Sequence, residues 1–151
     1  MISIDQYWMG RDKLYPDDLT LEIRRNAQET VDKVNELLHA YSEETGKVVD
    51  DINSGWRPPA VNDATSNAAD KSRHITGEAC DLGDPDGDLD KWCMANVPLL
   101  VEIGLWVEHP GWTDGWCHLQ TQPPPAGRGA RIFALGANPP VTIYGSETLW
   151  A

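Results

Sequence analysis

A chain of 151 residues with 24 Asp+Glu against 12 Lys+Arg carries a formal charge of −12, which leaves no basic stripe for a nucleic-acid backbone. Its 40% hydrophobic and 24% charged residues are ordinary globular values, and the length suits one domain whose core needs no staples. No apolar run approaches the roughly 18 residues of a membrane span, and Met1-Ile-Ser-Ile-Asp-Gln-Tyr-Trp lacks the pattern of an export signal.

Met1 to Tyr15 has aromatics without a period, so the expectation is an irregular arm that packs Tyr7 and Trp8 on the body. Pro16-Asp-Asp-Leu-Thr is a helix start, with acidic and hydroxyl residues in capping range. From Leu19 to Tyr41, Ile23, Ala27, Val31, Val34, Leu37, Leu38 and Tyr41 recur at threes and fours. This spacing predicts a long amphipathic helix ended by Gly46. Val48 to Asn53 is a short strand candidate, and the two prolines after Arg57 argue against regular structure. Asn62 to Lys71 reads as an exposed loop and Thr76 to Leu82 as a strand.

Asp84-Pro-Asp-Gly-Asp-Leu-Asp then caps a second helix, Leu89 to Ile103, which Pro98 should kink or interrupt. A calcium loop is the weaker account of these carboxylates: the glycine comes too early, and Ala95 stands where a bidentate glutamate belongs. Leu105 to His109 and Trp116 to Gln120 form two strands around a Pro-Gly-Trp-Thr-Asp-Gly turn. After Gln122 come a Pro/Gly-rich stretch, a short strand at Arg131-Ile-Phe and a weakly patterned tail. Cys80, Cys93 and Cys117 are odd in number and contain no CxxC pair, so they are read as buried, reduced packing residues.

The chemistry sits in Ser72-Arg-His-Ile-Thr-Gly-Glu-Ala-Cys-Asp81 and Gly115-Trp-Cys-His-Leu-Gln120. His74, Asp81 and His118 supply two imidazoles and a carboxylate, a three-ligand set for zinc with a fourth position left open. If the hairpin turn centres near Thr113, Glu108 lies directly opposite His118 on the same face, with Cβ atoms about 5 Å apart. A general base needs that reach without itself occupying the metal. Asp114, in the turn, is the competing base, although aspartate is common in turns for backbone reasons alone. Arg57 would clamp a substrate carboxylate or stabilise an oxyanion, unless it is a surface arginine. Ser72 would contact substrate or shape its loop. Trp116 is a further substrate-binding candidate, whereas His39 and His109 have no special signal.

Ser72, His74, Gly77, Ala79 and Asp81 resemble the Ser-x-His-x-x-Gly-x-Ala-x-Asp signature of zinc D-alanyl-D-alanine carboxypeptidases, which share their fold with hedgehog signalling domains. Trp116-Cys-His118 is similar to that family's Trp-x-His element, and Ser54-Gly-Trp-Arg57 to its upstream arginine loop. The resemblance, which runs from about Asn53 to Gln120, implies an α+β domain with an antiparallel sheet, zinc on one face and helices on the other. It implies His74, Asp81 and His118 as zinc ligands, Arg57 on the substrate carbonyl, and peptidoglycan stem peptides as substrate. Many members carry the catalytic glutamate three residues before the last histidine, where this chain has Gly115. Glu108 or Asp114 must then supply the base, or activity is lost.

The expectation is a single zinc peptidase domain over residues 1–151, with an arm at 1–15 and a Pro/Gly-rich segment at 123–151. It would be a monomer made in the cytoplasm, with neither nucleic-acid nor membrane partners, acting on the bacterial wall like a phage endolysin. The alternatives are a non-catalytic zinc-stabilised binding or phage structural module, and a cytoplasmic D-Ala-D-Ala dipeptidase.

Overall fold

In the computed structural model, residues 1–66, 68, 69 and 71–124 are described, together with the backbone of 132–133. Helix α3 (Leu21–Thr45) begins where the Thr20 hydroxyl accepts from Ile23 N–H, and ends at Gly46. Its apolar stripe buries Ala27, Val31, Val34, Leu37, Leu38 and Tyr41, as the spacing predicts. Pro16–Asp18 forms one 3-10 turn ahead of it.

The N-terminal arm is a correction. It is not irregular but forms two short helices, α1 (Ile4–Trp8) and α2 (Arg11–Leu14). Ser3 and Gln6 close a capping box on α1, which satisfies free N–H groups that so short a helix cannot pair internally. Tyr7 and Trp8 are buried as expected, and Tyr7 Oη donates to Ala79 O at 2.7 Å.

Among the described residues five strands make the sheet, β1 (Ile52–Ser54), β2 (Ala79–Gly83), β3 (Trp106–Glu108), β4 (Trp116–Gln120) and β5 (Ile132–Phe133), in the order β1-β2-β4-β3-β5. The first four pair antiparallel, and β5 joins β3 in parallel. Cys80, Leu82, Val107, Cys117 and Leu119 are wholly buried in one core with the apolar side chains of α3, α5 (Asp88–Ala95) and α6 (Val97–Ile103). All three cysteines are free and buried. Strand alternation then turns Asp81, Trp116, His118 and Gln120 to the opposite face.

Two further expectations need adjusting. The prolines after Arg57 do not exclude a helix: Pro59 opens α4 (Pro59–Ala64), because a first-turn residue has no intrahelical partner for its N–H. Asn62, placed in an exposed loop by sequence, is buried and donates to Ala69 O. The expected second helix is broken in two at Asn96, with Pro98 in the first turn of α6. The Asp84 carboxylate accepts from the N–H groups of Leu89 and Asp90, the cap expected of that loop. The tail expected after the Pro/Gly-rich stretch lies outside the described residues, apart from β5. Among the described residues, no helix is long and apolar enough to cross a membrane.

Asp90 is buried on α5, with Thr113 Oγ1 donating to one carboxylate oxygen at 3.0 Å and the other oxygen unpartnered. Burial raises its pKa to about 7; hydrogen bonds from Cys117 and Thr113 oppose the rise, and Asp84 and Glu108 add to it. A carboxyl whose folded pKa exceeds its unfolded value costs nothing below about pH 4 and destabilises progressively from there to about pH 7. Asp90→Asn should therefore stabilise the fold at about pH 8, on the order of 2 to 4 kcal/mol, with little effect near pH 4. Denaturant unfolding at the two pH values measures the difference.

Candidate metal centre

One rung of the sheet carries the polar site. Ser54 on β1 pairs with Asp81 on β2, which pairs with His118 on β4. Trp106 and Val107 on β3 face Gln120 and Leu119. The same register carried one residue further sets Glu108 opposite His118, as expected from a turn centred near Thr113. Carboxylate, imidazole and carboxylate therefore stand side by side on the face away from the helices.

His74 reaches this rung from the loop before β2. Its Nδ1–H donates to Gly55 O at 2.7 Å, and its carbonyl accepts from Arg57 N–H at 3.0 Å, so the His74 loop and the arginine loop hold each other. Gly55 permits the contact: a Cβ there would collide with the backbone carbonyl of Tyr7 on α1. Gly77 permits another, because at φ 76° its added Cβ would lie 3.0 Å from Ile23 O on α3. The glycine of the signature is thus a packing requirement of α3. Ser72 Oγ accepts from His74 N–H at 3.2 Å, which gives it a loop-shaping role.

The donor atoms converge. His74 Nε2 lies 3.1 Å from Asp81 Oδ2, and His118 Nδ1 lies 2.7 Å from Asp81 Oδ1. The two rings stand edge to face at 5.4 Å between centroids. Among the described residues, one donor atom from each of His74, Asp81 and His118 falls within 4.8 Å of the others. The site has the chemistry of a cation site. With Nδ1–H given to Gly55, the neutral His74 ring points its Nε2 lone pair at a carboxylate oxygen, and this buried nitrogen has no hydrogen-bond partner. Burial lowers the His74 pKa, and His118 and Arg57 reinforce the fall against the pull of Asp81. A neutral nitrogen facing an anion is repulsive unless a positive ion stands between them. Zinc accepts this nitrogen and oxygen donor set.

His118 is held from both sides. Its Nε2 lies 2.9 Å from Gln120 Oε1, and Gln120 Nε2 donates to Gln122 O at 2.8 Å. The amide nitrogen is committed, so the oxygen faces the ring, and the ring must offer an N–H at Nε2. In the neutral ring that leaves Nδ1 as the lone-pair nitrogen, the one a cation would take; without a cation the ring is protonated and Nδ1–H donates to Asp81 Oδ1 at 2.7 Å. Burial by itself would lower the His118 pKa, but Asp81, Glu108 and Gln120 outweigh it and carry it to about 9. Burial would likewise raise Asp81, yet the two imidazoles hold it well below the usual carboxylate range.

Glu108 is half-buried; burial raises its carboxyl, with Asp81 adding to the rise and His118 opposing it. Asp114 is exposed in the turn. Arg57 is 8% exposed, and its Nε is buried without a partner. Burial lowers its pKa while the Asp81 charge pulls it up, which puts the guanidinium within electrostatic reach of the cluster. Trp116 is half-buried on the His118 face. His39 is exposed on α3, and His109 is buried with its Nδ1 accepting from Gly111 N–H at 2.9 Å. Sequence inspection missed the Gly55 carbonyl and Gln120. The first has no side chain to signal it; the second could have been found, since two residues past His118 in a strand is the same face.

Removing the Gln120 oxygen should free the His118 tautomer and ring orientation. Gln120→Leu is expected to weaken zinc binding about ten- to a hundredfold with the fold retained; competition against a chelator, alongside circular dichroism, checks both.

No curated protein and no solved structure matches the chain significantly. The family model described as Peptidase M15 matches residues 13–103, which include Arg57, His74 and Asp81 and stop before His118. The match covers more than half of the chain, and the sheet register supplies a second histidine next to the two matched donors. The chain belongs to the Peptidase M15 family.

Proposed function

We propose that the chain is a single zinc peptidase domain, on a hedgehog/D,D-peptidase-like scaffold, that hydrolyses D-amino-acid-containing stem peptides of peptidoglycan. What supports this most is the convergence of His74 Nε2, Asp81 and His118 Nδ1 beside Glu108 on one sheet face. Those three side chains would hold the ion. When bound, it supplies Lewis acidity that polarises the scissile carbonyl and makes water nucleophilic near neutral pH.

The chain's own groups do the rest. Glu108 takes a proton from the attacking water and returns it to the leaving amine, roles suited to a carboxyl raised by burial. Arg57, whose guanidinium lies within electrostatic reach of Asp81, binds the carbonyl oxygen as it gains charge. Gly55 and Gln120 keep both imidazoles in the tautomer a cation needs. Trp116 lines the same face as an apolar wall for the peptide. The setting that fits this chemistry is a phage-type enzyme acting on a bacterial wall, by analogy with the resembled family. A second reading, a zinc-stabilised module without turnover, draws on Gly115 at the position where many members have glutamate.

Zymography on purified peptidoglycan, with mass spectrometry of the released fragments and elemental analysis of the protein, is the test. Expected are bound zinc, clearing of the wall and stem-peptide products. Glu108→Gln should lower kcat by about 10² to 10⁴ with zinc content unchanged, while Asp114→Asn keeps most of the activity. Bound zinc with no cleavage of wall or free dipeptide would favour the inert module. Hydrolysis of D-Ala-D-Ala with intact sacculi untouched would mark a dipeptidase. Loss of turnover in Asp114→Asn alone would move the base to Asp114.

A further inference from the structure

The strands set three successive rungs on the face that carries the metal centre, and the two outer rungs differ. On one side of the Glu108, His118 and Asp81 rung, Trp106 pairs with Gln120 and Gln120 with Ala79, so two large side chains cover it. On the other side Trp116 pairs with Gly83, which has no side chain. Asp51 completes that rung from β1: its carbonyl accepts from Gly83 N–H at 2.9 Å, and it precedes Ile52, the partner of Leu82.

The Asp51 carboxylate lies on the metal face. Gly83 is two residues beyond Asp81 in β2, so a Cβ there would point the same way as the Asp81 side chain. Such a Cβ would come within 2.8 Å of Asp51 Oδ2. The carboxylate therefore leans over the bare glycine, in the space that a side chain at 83 would take. Neighbouring strands are about 4.8 Å apart, which puts the Asp51 and Trp116 backbones about 10 Å apart with only glycine between them. Asp51 is exposed, and among the described residues its carboxylate makes no hydrogen bond or ion pair. Asp51 and Gly83 also border a cavity of about 450 Å³, so the rung ends in open, concave space.

An unpaired carboxylate on one side and an indole on the other, above a floor of bare backbone, match a primary ammonium. The carboxylate supplies a charge-assisted hydrogen bond and the indole a cation–π contact. We propose that Asp51 and Trp116, standing over Gly83, form a subsite for a primary ammonium of the peptide substrate. The proposal rests on the peptidase function proposed above and deepens it, by naming a cationic group beside the scissile bond. Asp81 and Gly83 are one rung apart, about 7 Å along the strand, which is also the advance of two residues in an extended peptide. The ammonium therefore belongs to a residue within about two of the scissile carbonyl, as a diamino-acid side chain or as a free chain end.

The test uses three tripeptides of one backbone on the zinc-loaded protein. Nα-acetyl-L-Lys-D-Ala-D-Ala keeps the side-chain ammonium, the Nε-acetyl isomer keeps the α-ammonium, and the doubly acetylated peptide has neither. Calorimetric titration should show wild type binding one ammonium peptide about five- to tenfold more tightly than the doubly acetylated one. Which isomer is preferred identifies the source of the amine, and the preference should shrink as ionic strength rises. Asp51→Asn should bring the preferred peptide down to the doubly acetylated level and leave the latter unchanged, and Asp51→Glu should restore part of the preference. Equal binding of all three peptides by wild type overturns the proposal. So does an Asp51→Asn protein that keeps the preference or weakens all three alike, because a merely structural role would not separate them. Equal turnover of the three would sink the subsite and leave the peptidase reading standing. Ammonium-selective binding without turnover would do the reverse, and no binding of any peptide overturns both.

Discussion

A half-buried carboxylate held between two buried imidazoles is the constraint around which this chain is organised. Asp81 lies 3.1 Å from His74 Nε2 and 2.7 Å from His118 Nδ1, with little water to screen it. Taking such groups out of solvent costs several kcal/mol per ion unless each is well paired. Without a cation the arrangement relies on a protonated His118 and still leaves His74 Nε2 unsatisfied. With a divalent ion, every donor atom has a use. The fold therefore keeps a polar cluster that is poor at stabilising the protein by itself and well suited to holding a metal.

What fixes the cluster is less its three side chains than the groups behind them. Gly55 O fixes the N–H of one ring at Nδ1, and Gln120 that of the other at Nε2. Each of these partners is itself restrained. Gly55 is pressed against the Tyr7 carbonyl of α1, and Gln120 is tied to Gln122 O. The N-terminal helices are in this sense part of the site: α1 backs the loop that orients His74, and α2 sends Arg11 to the same loop. The long helix α3 contributes from the other side, packed so closely on the Gly77 turn that a side chain there would meet its backbone.

Much of this could be read before any coordinates, where a period or a register was long enough to show. The seven apolar positions of α3 define its buried stripe, and the symmetry of 108 and 118 about residue 113 anticipates the register of β3 on β4. Short helices were harder to see. Four or five residues complete barely one turn, so α1 and α2 show no period, although Ser3 and Gln6 at capping distance were a usable sign. Pro58-Pro59 reads as a breaker in the sequence, yet the second proline starts a helix. Main-chain groups such as Gly55 O leave no trace in residue identity at all.

The antiparallel ladder explains why so dispersed a site can be built reliably. Ser54, Asp81, His118 and Glu108 come from four strands spread along the chain, yet pairing makes them consecutive members of one rung. A slip of one residue between β2 and β4 would send His118 into the helical core and bring Cys117 or Leu119 out, an exchange of a buried apolar side chain for a buried polar one. The Cys80, Leu82, Cys117 and Leu119 layer thus holds Asp81 and His118 in register from behind. Two short strands, β3 and β4, bring the carboxylate of Glu108 and the imidazole of His118 to the rung of Asp81, and the packing of Val107, Cys117 and Leu119 behind them keeps both polar side chains on the same face.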